Sequence, residues 1–178
     1  MHEKGIMHRD INPNNLSVTS LSNPSGLIID LDAATDEIVS TDHGVGTLAY
    51  LAPEIVLLKK QVPSSYYKSV DVWALGLSAY ALYLGTSLTW HLRDAFGNIR
   101  KSDCVTEKTY VAFQDRIAQQ VVRDLKAAPY LDLVKKMTKY ESTDRLSASL
   151  ARDAAIKLAD ELKGEAGPSW TLKRPRAE

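Results

Sequence analysis

The spacing of apolar and polar residues changes several times along the 178 residues. Residues 16–20 (LSVTS) and 26–31 (GLIIDL) read as short strands, and Asn23-Pro24-Ser25-Gly26 between them is turn chemistry. Together they predict a β-hairpin. A hairpin returns its ends to one place, so Asn15 before it and Asp30 near its end are expected to meet. Residues 33–50 scatter Thr, Asp, Ser and Gly without an apolar period and read as loop. A helix is expected to begin after Pro53. Residues 59–67 (KKQVPSSYY) are polar around a central proline and read as a connection. Residues 69–84 are apolar nearly all round, the pattern of a helix buried at the centre of a domain.

Phe113, Ile117, Val121 and Leu125 recur at four-residue steps and predict an amphipathic helix over 107–126. Pro129 punctuates it, and a shorter helix follows to about Lys139. Residues 147–163 predict another, with Leu150, Ala154, Leu158 and Leu162 on one face. From Gly164 the chain (GEAGPSWTLKRPRAE) has no period and reads as a disordered tail. No internal repeat is visible. The expected organisation is one domain over 1–163 with a tail over 164–178, mostly α with a short β-hairpin.

Composition narrows the function classes. Apolar residues make up 44% and charged residues 25%, an ordinary globular balance. The 22 basic and 22 acidic side chains cancel, which argues against a nucleic-acid or membrane-surface binder driven by positive charge. One cysteine, Cys104, allows neither an internal disulfide nor a cysteine zinc site. His2, His8, His43 and His91 lack metal-ligand spacing. MHEKGIMHRD is too polar for a signal peptide. The most apolar long stretch, Val70 to Gly85, is too short to span a bilayer and carries Asp71. An intracellular chain is expected, cytoplasmic or nuclear. KRPR at 173–176 matches a nuclear signal but reads first as a short solvated basic tail.

The chemistry concentrates in HRDINPNN, His8 to Asn15. Phosphoryl transfer from ATP needs a carboxylate to receive the acceptor's hydroxyl proton and oxygen ligands to hold magnesium against the phosphates. Asp10 can be that carboxylate. Asn15 offers a neutral carbonyl oxygen and Asp30 a charged one. Further landmarks follow in order: Asp30-Leu31-Asp32, then GTLAYLAPE from Gly46 to Glu54, then DVWALG from Asp71 to Gly76, then Arg145 in STDRLSA.

This order resembles the C-terminal lobe of the eukaryotic protein kinase family. HRDINPNN is similar to the catalytic loop H-R-D-x-x-x-x-N, DLD stands where D-F-G belongs, and GTLAYLAPE looks like the end of the activation segment. DVWALG looks like the buried helix that anchors the lobe; any one of these is a weak signal, but four in family order are specific. HRDI-PNN with IDLDAA looks most like the fungal-type subgroup. The resemblance covers residues 1 to about 160 and implies a lobe whose N-terminal partner, with its glycine-rich loop, lysine and glutamate, is absent from these residues. It implies ATP and Mg2+ as cofactors and a protein substrate, phosphorylated on Ser or Thr.

By the same resemblance Asp10 would be the catalytic base, and Asn15 and Asp30 would bind nucleotide-bound magnesium. Thr47 would lie beside the base and the arriving substrate. His8, Arg9, Glu54, Asp71 and Arg145 would be structural, Arg9 facing the activation segment, Glu54 pairing with Arg145 and Asp71 holding the catalytic-loop backbone. Asn12 stands where Ser/Thr kinases carry a lysine that contacts the transferring phosphate; an amide keeps hydrogen bonding but loses the charge. Asp32 replaces the glycine of D-F-G, crowding negative charge near the metal and restricting the backbone, while Leu31 keeps an apolar plug. Ser40 and Thr41 are candidate phosphorylation sites with Arg9 as receiver, although an ordinary polar loop is the preferred reading.

Two look-alikes are set aside. Gly44-Val45-Gly46 lacks the strand and helix of a phosphate loop, and Ala155-Ile156-Lys157 lies in a helical pattern, not on a strand. The isolated chain is expected to be inactive, because the upper-lobe contacts that align the phosphates carry much of the catalysis. The alternative is a non-catalytic, pseudokinase-like module that takes a partner on an exposed apolar lobe face. A small-molecule phosphotransferase ranks last, since GTLAYLAPE and DVWALG belong to the peptide-substrate architecture.

Overall fold

A computed structural model of the protein describes residues 1–20, 25–58, 65–85 and 107–165. Part of the Asn23–Gly26 turn, most of the KKQVPSSYY connection, His91, Cys104 and KRPR lie outside the described residues. Strand β1 (Leu16–Val18) pairs antiparallel with β2 (Gly26–Ile28), with Leu16 opposite Ile28 and Val18 opposite Gly26. Among the described residues five α-helices follow: α1 (Pro53–Leu58), α2 (Ser69–Leu84), α3 (Glu107–Arg123), α4 (Ala128–Met137) and α5 (Ala148–Glu165). The expected class, mostly helical with one small hairpin, is what the chain adopts. The strands are shorter than the 16–20 and 26–31 read from sequence. Beyond the ladder, Thr19 N–H to Ser25 O (3.0 Å) and Ile29 N–H to Asn15 O (3.0 Å) continue the pairing among the described residues.

Helix α2 is the axis of the lobe, as its all-round apolar sequence predicts. Val70, Val72, Trp73, Leu77 and Tyr80 are all buried on it. Gly76 makes the close approach to the end of α4 possible: a Cβ there would stand 2.7 Å from Thr138 Cγ2 and 2.9 Å from Met137 Cβ. Neither neighbour is the loose end of a long side chain, so the two segments must separate to admit a methyl. Gly76→Ala is therefore expected to destabilise the chain by about 1–3 kcal/mol, the usual range for overpacking. Urea unfolding checks it, and an unchanged midpoint would refute the packing argument.

Helix α3 buries Phe113 and Ile117 and half-buries Val121. The Phe113 ring meets Tyr80 edge-on at 5.3 Å between centroids. Leu125 breaks the expected pattern: the helix ends at Arg123, and Leu125 is 76% exposed. Asp124 stops it locally, its carbonyl and carboxylate both accepting the Ala127 N–H. The inward side of α5 keeps Ala154 and Leu158 of the face read in sequence but takes Ala151 in place of Leu150. Ala151 is buried against Val72 and Met137, Ala154 and Leu158 share its side, and Leu150 is 58% exposed. The close approach of α5 selects the small side chain, a preference that hydrophobicity alone does not reveal. The Leu162 side chain lies outside the described residues. The helix continues through Glu165, two residues past the 147–163 read from sequence.

On α4, the Tyr130 hydroxyl donates to Ala79 O at 2.7 Å, and burial pushes its pKa up to about 12. No described helix is long and apolar enough to cross a membrane.

Candidate functional site

The site is assembled where the loop before β1 meets the N-terminal end of α2. Asp71, in the first turn of α2 and 2% exposed, turns its carboxylate towards the loop. Oδ1 accepts the Arg9 N–H at 2.8 Å. Oδ2 accepts the His8 N–H at 2.8 Å and bonds His2 Nε2 at 2.8 Å. His8 is fully buried, and its Nδ1 accepts the Asp10 N–H at 3.3 Å. That leaves Nε2 to carry the proton and donate to Ile29 O at 3.1 Å, which ties the loop to the end of the hairpin. Met7 and Thr35 add a two-way backbone bridge. Arg9 and Asp30 are the two described non-glycine residues with positive φ, at 67° and 64°. Such backbones cost about 1–3 kcal/mol and persist only where neighbours impose them.

Asp10 receives donors from three residues. Its Oδ1 accepts the Thr47 N–H (2.7 Å), the Thr47 hydroxyl (2.7 Å) and Asn12 Nδ2 (3.2 Å). Its Oδ2 accepts Asn15 Nδ2 at 3.2 Å. Asn15 is buried, and the same Nδ2 also donates to Asp10 O at 2.9 Å. The Asn15 amide is thereby oriented with its Oδ1 away from Asp10. The Ile29 N–H on Asn15 O places Asp30 one residue from that point across the hairpin base. Asp30 is exposed, and no hydrogen bond among the described residues holds its carboxylate. An amide oxygen and a carboxylate are hard donors of the kind Mg2+ accepts, too few to hold the ion without water and phosphate oxygens. Asp32 is exposed two residues on.

Arg9 reaches the segment after the hairpin. Its Nε donates to Ala33 O, and its Nη1 donates to the Ser40 hydroxyl at 3.2 Å and lies 3.5 Å from Asp42 Oδ2. Ser40 is 3% exposed and exchanges both backbone hydrogen bonds with Tyr66. Thr41 is exposed. The partner that sequence reasoning missed is Asp42. Its N–H donates to Ser40 Oγ, its O accepts the Tyr66 hydroxyl, and its Oδ1 accepts the Gly44 N–H. Asp-x-Gly is an available turn signal for the last of these, but nothing in the sequence ties Asp42 to Arg9. Gly46, with φ of 92°, lies so close to Arg9 that a Cβ would stand 2.6 Å from Arg9 O. It is a packing glycine, in keeping with the rejection of Gly44-Val45-Gly46 as a phosphate loop. Ala155-Ile156-Lys157 lies on α5, as its helical pattern predicts.

Glu54 and Arg145 meet as a two-pronged ion pair at 2.6 and 2.7 Å. Arg145 also donates to Lys139 O, Tyr140 O and Ser69 O, and lies 4.9 Å over the Trp73 ring. This pair stands apart from Asp10 and fixes α1 to the α4–α5 connection.

The protein kinase domain profile matches residues 1–155. A calcium/calmodulin-dependent protein kinase type 1 of the prawn Macrobrachium nipponense is 32% identical over 146 residues, covering 78% of this chain and 39% of the relative. The meiosis-specific serine/threonine-protein kinase mek1 of Schizosaccharomyces pombe is 31% identical over 157 residues, covering 83% of this chain and 32% of the relative. An Aurora kinase of Candida glabrata is 29% identical over 152 residues, covering 83% and 36%. The chain thus spans roughly a third of the length of these relatives. Kinases of Drosophila melanogaster and Caenorhabditis elegans match as well, so the likeness is to eukaryotic kinases at large and not chiefly to fungal ones. With the profile covering most of its length and its catalytic-loop residues gathered around one carboxylate, the chain belongs to the protein kinase domain family.

Proposed function

We propose that the chain is the substrate-side lobe of an ATP-dependent Ser/Thr protein kinase. The gathering of Asp10, Asn15 and Asp30 at the hairpin base carries this reading. Asp10 takes the proton of the acceptor hydroxyl as that oxygen bonds to the γ-phosphorus and ADP leaves. Asn15 and Asp30 would hold the nucleotide's Mg2+, which would supply charge neutralisation on the phosphates. Asn15 also holds Asp10 through Nδ2, so base and metal ligand are set by one amide. Thr47 lies against Asp10 at the edge where a peptide hydroxyl arrives. The fungal-type subgroup rests on HRDI-PNN and IDLDAA alone.

The 178 residues by themselves are expected to transfer no phosphate at a detectable rate, because a glycine-rich loop and strand lysine belong to the family's machinery and this sequence holds neither. Metal binding is the cleaner test. With Mn2+ as a paramagnetic probe, the amide resonances of Asn15 and Asp30 should broaden first, and Asp30→Ala should remove most of the effect. Broadening elsewhere, or none, would reject the cation site and favour the second reading. That reading is a non-catalytic module binding a protein through the hairpin, and the exposed Val18, Leu27, Ile29 and Leu31 support it.

A further inference from the structure

We propose that Asn12 is a positioning residue for Asp10 rather than a phosphate ligand, and that with Thr47 it reserves Oδ2 of Asp10 as the proton-accepting atom. The first half stands on geometry alone; the second rests on the kinase reading above.

Asn12 is 4% exposed, and both ends of its amide are turned into the chain. Its Nδ2 lies 3.2 Å from Asp10 O, 3.2 Å from Asp10 Oδ1 and 3.2 Å from Thr47 Oγ1. Two N–H groups are thus shared among three acceptors. Its Oδ1 accepts the Asn14 N–H at 3.0 Å and caps the short turn Pro13–Asn15. A phosphate oxygen could bond this amide only by displacing Asp10 or Thr47. The side chain that replaces a cation therefore does not replace its contact.

What the amide does is divide the labour between the two oxygens of Asp10. A carboxylate oxygen has two lone pairs in its plane. Oδ1 is met by Thr47 N, Thr47 Oγ1 and Asn12 Nδ2, more donors than it has lone pairs. Among the described residues Oδ2 is met by Asn15 Nδ2 alone, at 3.2 Å. Asn12 also donates to the Thr47 hydroxyl, which polarises that hydroxyl as a donor to Oδ1. A proton arriving from a substrate hydroxyl finds Oδ1 filled and Oδ2 half open.

Amide hydrogen exchange on the labelled 178-residue chain, read by NMR, separates the two ends of Asn12. Asn12→Asp keeps an oxygen for the Asn14 N–H but removes both donors and sets a second carboxylate against Asp10. The Asn14 amide should exchange within about twofold of the native rate, while the Thr47 amide should exchange about tenfold faster or more. Asn12→Ala, which adds no charge, should release both amides. Should Asn12→Asp fail to fold, Asn12→Ala still decides the point, by whether the Thr47 amide, which Asn12 does not itself bond, is released together with that of Asn14. An unchanged Thr47 rate in the folded variant would overturn the proposal.

A kinetic arm tests the chemical half in the protein as its cell makes it. Asn12→Ala should lower kcat about tenfold with the ATP KM unmoved. A raised ATP KM with kcat intact would make Asn12 a phosphate ligand and overturn the proposal. Absence of phosphotransfer in the native protein would instead reject the kinase reading and with it the role of Oδ2, leaving the exchange result to judge the positioning of Asp10.

Discussion

Asp71→Asn should lower the unfolding free energy by about 3 kcal/mol, although it changes one atom. The buried carboxylate accepts from His8 N, Arg9 N and His2 Nε2, all at 2.8 Å. A carboxylate can serve three donors on two oxygens; an amide has one oxygen and would turn an NH2 group towards an N–H. One backbone donor is left facing another donor at a buried position. The loss reaches further than the hydrogen bond, because Arg9 holds φ of 67°, a backbone that persists only under constraint. Released from Asp71, Arg9 should relax and draw Asp10 out of register with Thr47 and Asn15. Urea unfolding gives the free energy, and exchange at the His8 and Arg9 amides gives the local effect. A loss below about 1 kcal/mol would show that the loop is held by its other contacts.

Arg145→Ala should cost more, about 3–5 kcal/mol, the range for breaking a buried ion pair from one side. The guanidinium serves both oxygens of Glu54 and three backbone carbonyls and covers the Trp73 ring. Glu54→Ala should cost less, since the Glu54 side chain is 21% exposed and Arg145 keeps its three carbonyls. Arg145→Lys should recover little, because one ammonium cannot reproduce the planar fork. Thermal unfolding of the three variants orders them. If Glu54→Ala were the most damaging, the carbonyl contacts of Arg145 would be incidental.

Much of this fold was legible because its elements carry strong local signals. The all-round apolar run of α2 and the four-residue steps of α3 have one good structural reading each. Glu54 with Arg145, and Asp71 with the loop, were reachable through the order of HRDINPNN, GTLAYLAPE and DVWALG. What stayed hidden depends on contacts distant in sequence. Which face of α5 turns inward is decided by how closely Val72 and Met137 approach, so Ala151 displaced Leu150. Helix α3 ended before Leu125 because of one aspartate. The orientation of Asn12 is set by Thr47, 35 residues away, and the positive φ of Arg9 and Asp30 by the bonds around them. Residue type announces neither.

The Arg9–Asp42 contact has a further physical consequence. Arg9 already has a carboxylate beside it, at 3.5 Å, and the Asp42 side chain is 53% exposed. An ion pair open to solvent on one side is screened as salt rises, with a Debye length of about 8 Å at physiological ionic strength. Salt weakens only this ionic part of the link between the loop and the Ser40–Gly44 segment; the Arg9–Ser40, Ser40–Tyr66 and Tyr66–Asp42 hydrogen bonds remain.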